Sequence, residues 1–96
     1  MSLEEALGDP GFESWLVNRV LNELATRGVK LPEYVVSELK PASDGVRLRL
    51  VRVVKLRKGD YREAGLFHEE SYSFQEVLYL YREYKEEKSR AVRVLG

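Results

Sequence analysis

Residues 46–58, VRLRLVRVVKLRK, form the longest β-patterned run of the chain and hold its densest positive charge. Val46, Leu48 and Leu50 alternate with Arg47 and Arg49, the period-two pattern of a strand with one apolar and one cationic face. Beyond Leu50 the phase conflicts with itself. Continued, it places Val54 and Leu56 inside with Lys55 and Arg57 outside, but it also places Arg52 inside and leaves Val51 and Val53 outside. Two resolutions are open: a β-bulge near residues 50 to 53 resets the alternation, or the second face of the sheet carries an apolar patch that something covers.

Downstream, Lys58-Gly59-Asp60 has the composition of a tight turn, so the chain from Tyr61 to about Ser71 is expected to return antiparallel as a hairpin. One face of this returning strand carries Ala64 and Leu66 and the other Tyr61, Gly65 and Phe67, which puts Phe67 in position to pair across with Val51 or Val53. Ser73-Phe74-Gln75-Glu76 forms a capping box, and the helix it opens runs to about Ser89 with Phe74, Val77, Leu78, Tyr81 and Tyr84 on one side. Residues 91–95, AVRVL, then form either a short added strand or a tail that docks on a partner.

Upstream, Lys40-Pro41-Ala42-Ser43-Asp44-Gly45 reads as a loop and Tyr34 to about Leu39 as a strand. Asp9-Pro10 opens a helix that continues to about Arg27, where Gly28 stops it. Leu16, Val17, Val20, Leu21 and Leu24 recur on its apolar side, and Phe12 and Trp15 broaden that stripe near its start, as an anchor against the sheet or against the N-terminal turn. Before it, Ser2-Leu3-Glu4-Glu5 fits a second capping box whose short turn ends at Gly8. The expected architecture is two-layer α+β in the order α-β-β-β-α, a three-stranded antiparallel sheet with two helices on one face and residues 90–96 as an optional extra strand or tail. One domain accounts for all 96 residues, with residues 1–8 as an N-terminal extension and residues 9–89 as the core.

No apolar run approaches the ~18 residues of a membrane span, and the first residues are acidic where a signal peptide is basic. The expectation is a cytoplasmic protein with no membrane association. The absence of cysteine excludes disulfides and thiolate metal sites. One Gln and two Asn against abundant Glu, Lys and Arg is a composition associated with thermophiles. Net charge is zero but unevenly spread: residues 41–62 hold seven basic and two acidic side chains, and both flanking segments are net acidic. Such a chain exerts little long-range pull on a polyanion yet can present a local cationic face.

The segment LNELATRG, residues 21–28, followed by LPEYVVSE, residues 31–38, and then Pro41-Ala42, resembles the first half of a double-stranded RNA-binding domain. The resemblance spans roughly residues 16 to 88, with residues 21–42 its motif-like part, and it implies the α-β-β-β-α order. It further implies that Asn22 and Glu23 on the first helix reach into an RNA minor groove and that the loop at Lys40 reaches another. This sequence departs from the family pattern in two places. The glycine and histidine that flank the Pro-Ala pair in the family are Lys40 and Ser43 here. The second helix opens Phe74-Gln75-Glu76-Val77-Leu78, so the Lys-Lys-x-Ala-Lys cluster that grips phosphates in RNA-binding members is missing.

No residue set declares a catalytic chemistry. His68 is the only histidine and stands beside Glu69 and Glu70; a metal site needs further nitrogen or sulfur ligands and a general base needs a partner in a cleft, so a solvated histidine at a strand end is the expectation. Tyr79, Tyr81 and Tyr84 are candidates to stack on bases, set against their core and rim spacing on an amphipathic helix, and no phosphate loop, Ser/His/Asp arrangement or carboxylate pair is recognisable. No enzyme activity, metal or cofactor is expected. Arg47, Arg49, Lys55, Arg57 and Lys58 are strung along some 35 to 40 Å of strand at ~3.3 Å per residue, a length suited to tracking phosphates. Against this, cross-strand acids such as Glu63 and Glu69 could neutralise them.

Two functions of different class follow. One is a small non-enzymatic RNA-associated module within a ribonucleoprotein, using Asn22, Glu23, Lys40 and the basic strand. The other is a protein-interaction or homodimerisation module in which Val51, Val53, Phe67, Val92 and Val94 form the contact.

Overall fold

The computed structural model describes residues 2–95, and the side chains of residues 2–91. Three helices and one sheet follow in the order α1 (Leu3–Leu7), α2 (Pro10–Thr26), β1 (Val35–Ala42), β2 (Gly45–Lys55), β3 (Tyr61–Tyr72) and α3 (Phe74–Leu95). The sheet is antiparallel with strand order β1-β2-β3, so the 46–58 stretch supplies the central strand.

The helix ends form for local reasons. Asp9 caps α2, its Oδ1 accepting from the Gly11 and Phe12 amides at 3.0 and 3.3 Å. At the other end the Val29 amide donates to the Leu24 carbonyl and the Gly28 amide to that of Ala25, the paired bonds of a Schellman motif. Ser73 and Glu76 exchange reciprocal bonds of 2.8 and 3.0 Å in a capping box that starts α3, and Ser2 Oγ accepts from the Glu5 amide in the same manner at α1.

Burial places the helices on one face of the sheet. Phe12, Leu16, Val20 and Leu24 of α2 and Val77 and Tyr81 of α3 form a buried cluster with Val46, Leu48 and Leu50 of β2, and Ala6 of α1 closes one side. An aromatic wedge ties α2 to α3: Phe12 meets the Tyr81 ring edge-on at 5.1 Å, Trp15 lies 5.8 Å from Tyr84, and the Trp15 indole N–H donates to Glu87. Trp15 therefore anchors against the last helix rather than against the sheet or the N-terminal turn.

The phase conflict in β2 is resolved on its neighbour. The β1–β2 register runs without interruption from Val35 opposite Arg52 to Ala42 opposite Gly45. The β2–β3 register shifts between Leu50 and Val51 and again between Val51 and Val53. At each shift β3 supplies the extra residue, and Gly65 there has φ of 109°, a conformation that favours glycine. Because β2 itself is not bulged, its alternation continues and Val51 and Val53 stay on the face opposite the helices.

Three further expectations are corrected at the ends of the strands and of α3. The predicted six-residue loop is mostly strand: β1 and β2 pair up to Ala42 and Gly45, leaving only Ser43 and Asp44 as the turn. Gly45 is required there, since a Cβ would collide with the Tyr72 carbonyl oxygen. Residues 91–95 continue α3 instead of adding a strand. Val54 and Leu56, expected inside, are about two-fifths exposed, at 41% and 42%, because the helix layer ends before it reaches them.

Candidate nucleic-acid interface

Which way each strand residue faces follows from its partners. Ser37 donates to Glu13 of α2 at 2.5 Å, so the odd-numbered residues of β1 face the helices and Val36, Glu38 and Lys40 face outward. In β2, Arg49 is outward, between Glu69 of β3 at 3.3 Å and Glu38 of β1 at 3.9 Å. Lys40 pairs with the same Glu38 at 3.3 Å. Arg47, opposite Lys40 on one side and Ser71 on the other, has no ion pair among the described residues.

Toward the distal end the outer face turns apolar. Val36, Val51 and Leu66 stand in one row across the three strands, and the Tyr34 carbonyl accepts from the Val53 amide at 3.1 Å in the next. Tyr61, opposite Lys55, brings its ring to 5.9 Å from that of Tyr34 at an interplanar angle of 75°. Glu33 beside it, with some desolvation, raises the Tyr34 phenol above its ordinary value. The place expected for Phe67 is taken by Leu66. The first bulge turns Phe67 to the helix side, where it packs against the core and Arg52 lies 5.0 Å above its ring.

Beyond Leu50 no residue of β2 is buried. Residues 51–66 thus form an arm that outruns the helix layer. Its five cations, Arg52, Lys55, Arg57, Lys58 and Arg62, stand against two acids, Asp60 and Glu63. Its tip is a turn in which the Gly59 amide donates to the Leu56 carbonyl and the Leu56 amide to that of Asp60. Lys55 ends β2 and Arg57 and Lys58 lie in this turn, none of them in an ion pair among the described residues.

The helix layer presents a different surface. Asn22 and Glu23 are exposed on α2, with Thr26 and Arg27 beside them, in the layer opposite the cationic strand face; the two sets do not form one surface. A cleft of about 550 Å³ lies between α2, β3 and the start of α3, lined by Leu16, Val20 and Tyr72 together with Glu23, Glu70 and Glu76 and a single cation, Arg19. Burial, and then the charges of Glu70 and Glu23, push the Tyr72 phenol up. Three carboxylates against one guanidinium leave the cleft net acidic, which disfavours a polyanion there. His68 faces this side as well, its Nε2 2.8 Å from Glu70 Oε1, and among the described residues no group of three acidic, histidine or cysteine side chains is placed to hold a metal.

Tyr81 is buried, Tyr84 half-buried and Tyr79 exposed, so the α3 tyrosines divide into core and rim. Val92 and Val94 lie in the last turn of α3, and their side chains fall outside the described ones. The pair that sequence reasoning missed is Tyr34 and Tyr61; a period-two count on either strand puts each on the outer face, but only the register brings the two rings together. No described helix is long and apolar enough to cross a membrane. Compared with family models, curated proteins and solved structures, the chain matches none.

Proposed function

We propose that this chain is a small non-enzymatic RNA-associated module that binds through the outer face and arm of its sheet, not through its helices. The observation that carries the reading is the bare outer face: cations without ion pairs stand at both of its ends, Arg47 at one and Lys55, Arg57 and Lys58 at the other. The α-β-β-β-α order is what the resemblance to double-stranded RNA-binding domains implies, but the acidic cleft at the start of α3 argues against their mode of gripping a duplex.

The test is RNA affinity as a function of salt. Replacing Arg47, Arg49 and Arg57 together by Ala is expected to weaken binding and to lower the slope of log affinity against log salt by up to ~0.9 for each duplex phosphate no longer neutralised, or ~0.7 on a single strand. Arg49 is expected to contribute least, since Glu38 and Glu69 already occupy it. Unchanged affinity in the triple variant overturns the reading.

A second reading is favoured by one observation, the row Val36, Val51 and Leu66, of which Val36 and Leu66 are 47% and 50% exposed. A protein partner or second copy covering that row makes the chain an interaction module. Sedimentation that rises with concentration in the parent, and is abolished by Val51→Lys with Val53→Lys, is its signature.

A further inference from the structure

We infer that the ligand of the arm is single-stranded nucleic acid, with a base stacked on Tyr61 and the adjoining phosphates held by Lys55, Arg57 and Lys58; this rests on the RNA reading above and names its substrate class. The outer face is cationic at both ends and, apart from Glu63, apolar between them. From Arg49 to Lys55 is six residues, about 20 Å at ~3.3 Å per residue, and the outward side chains between are Val51 and Val53. A duplex shows a flat surface its phosphates, sugars and groove edges but keeps its base faces stacked inside, so on this track polar groups and charges would lie over valines. A single strand has two chemistries: an anionic backbone, and unpaired bases whose faces seek apolar and aromatic contact.

The tyrosine pair supplies that contact. The rings meet edge to face, so they form a corner rather than a slot, and no base fits between them. Tyr61 is the more open, at 57% against 38% for Tyr34. The base therefore lies on the free face of Tyr61, while Tyr34 acts as a positioning residue that braces the ring. Lys55 is directly opposite Tyr61 in the register, and the turn carrying Arg57 and Lys58 begins at the next residue, which puts three cations within one hairpin end of the stacking ring. Glu63, opposite Val53 on the same face, limits the phosphate path to the side of Tyr61 that faces the turn.

Fluorescence anisotropy with a labelled oligo-uridylate of about a dozen nucleotides and a duplex of the same length tests this. The parent is expected to bind the single strand at least ten-fold more tightly than the duplex. Tyr61→Ala is expected to lose about ten-fold or more in single-strand affinity with the salt slope unchanged, while Tyr61→Phe keeps it; Tyr34→Ala loses less. Lys55→Ala with Lys58→Ala is expected to lower the salt slope instead. Both rings are exposed, and a melting curve matching the parent's shows that a weakened affinity does not come from unfolding. Equal affinity for both oligonucleotides, or Tyr61→Ala binding like the parent, overturns the stacking proposal while the RNA reading stands. A parent that binds neither oligonucleotide overturns both.

Discussion

The two halves of β2 are one strand with one pattern and two fates. In the proximal half Val46, Leu48 and Leu50 are at most 1% exposed, because α2 and α3 close over them. In the distal half Arg52 and Val54 occupy the same side of the same strand and nothing closes over them. The difference lies in how far the helix layer extends, since the sheet continues for five residues of β2 past the last buried one. Alternation decides which face a side chain takes, and coverage decides whether that face is core. The uncovered half carries the proposed stacking site, whereas the proximal half carries the core on its helix side and Arg47 and Arg49 on its outer side.

The sharpest way to break this contrast is Leu48→Ala. A fully buried leucine removed from the centre of the core is expected to cost ~2 to 5 kcal/mol, a large share of a small domain's stability, and to lower the melting temperature by roughly 4 to 8 °C per kcal/mol. A midpoint close to the parent's would show that the helix layer does not close over β2 as described.

A smaller effect is expected at Asp9, which joins the two helices of the covered side. Its carboxylate caps α2 and its Oδ2 accepts from the Tyr81 hydroxyl at 3.1 Å. Burial alone would raise its pKa, but the bonds from Phe12, Tyr81 and Gly11 outweigh it and hold the group below the ordinary 3.8. Since the folded value is the lower one, the stabilisation is fully present above about pH 3.8 and is lost as pH falls through the folded value. Asp9→Ala is expected to cost about 1 kcal/mol at neutral pH, and Asp9→Asn to flatten the acid limb of a stability–pH curve. An acid limb as steep in the Asn variant as in the parent would remove Asp9 from that role.

The smallest effect belongs to the bare face. Leu66→Ser, at a half-exposed position, is expected to change stability by no more than about 0.5 kcal/mol in urea unfolding. A loss comparable to that of Leu48→Ala would mean that the outer face is covered in solution, which favours the protein-partner reading over the nucleic-acid one.

Local chemistry makes much of this molecule legible without any tertiary contact. Asp9-Pro10, Gly28 and the Ser73-to-Glu76 box act on the backbone within a turn of themselves, so the helix starts and the α2 stop can be read directly. The alternation from Val46 to Leu50 names its own core face for the same reason. The loop expected at residues 40–45 does not form: Pro41 and Gly45 have turn chemistry in isolation, whereas here Pro41 takes a place in β1 and Gly45 answers to the Tyr72 carbonyl, 27 positions away. At the C-terminus, residues 91–95 have the valines of a strand, but no strand edge receives them and the helix continues.

The element order, the α+β class, the caps and the core side of the proximal strand all depend on neighbours within a few residues, and so are written into the chain locally. That the extra residues of the hairpin lie in β3, that Leu66 and not Phe67 joins Val51 on the outside, and that Tyr34 and Tyr61 meet all follow from how the strands pair. Register between strands is a property of both partners at once, and a bulge in one strand re-aims side chains without leaving any mark on the alternation of the other.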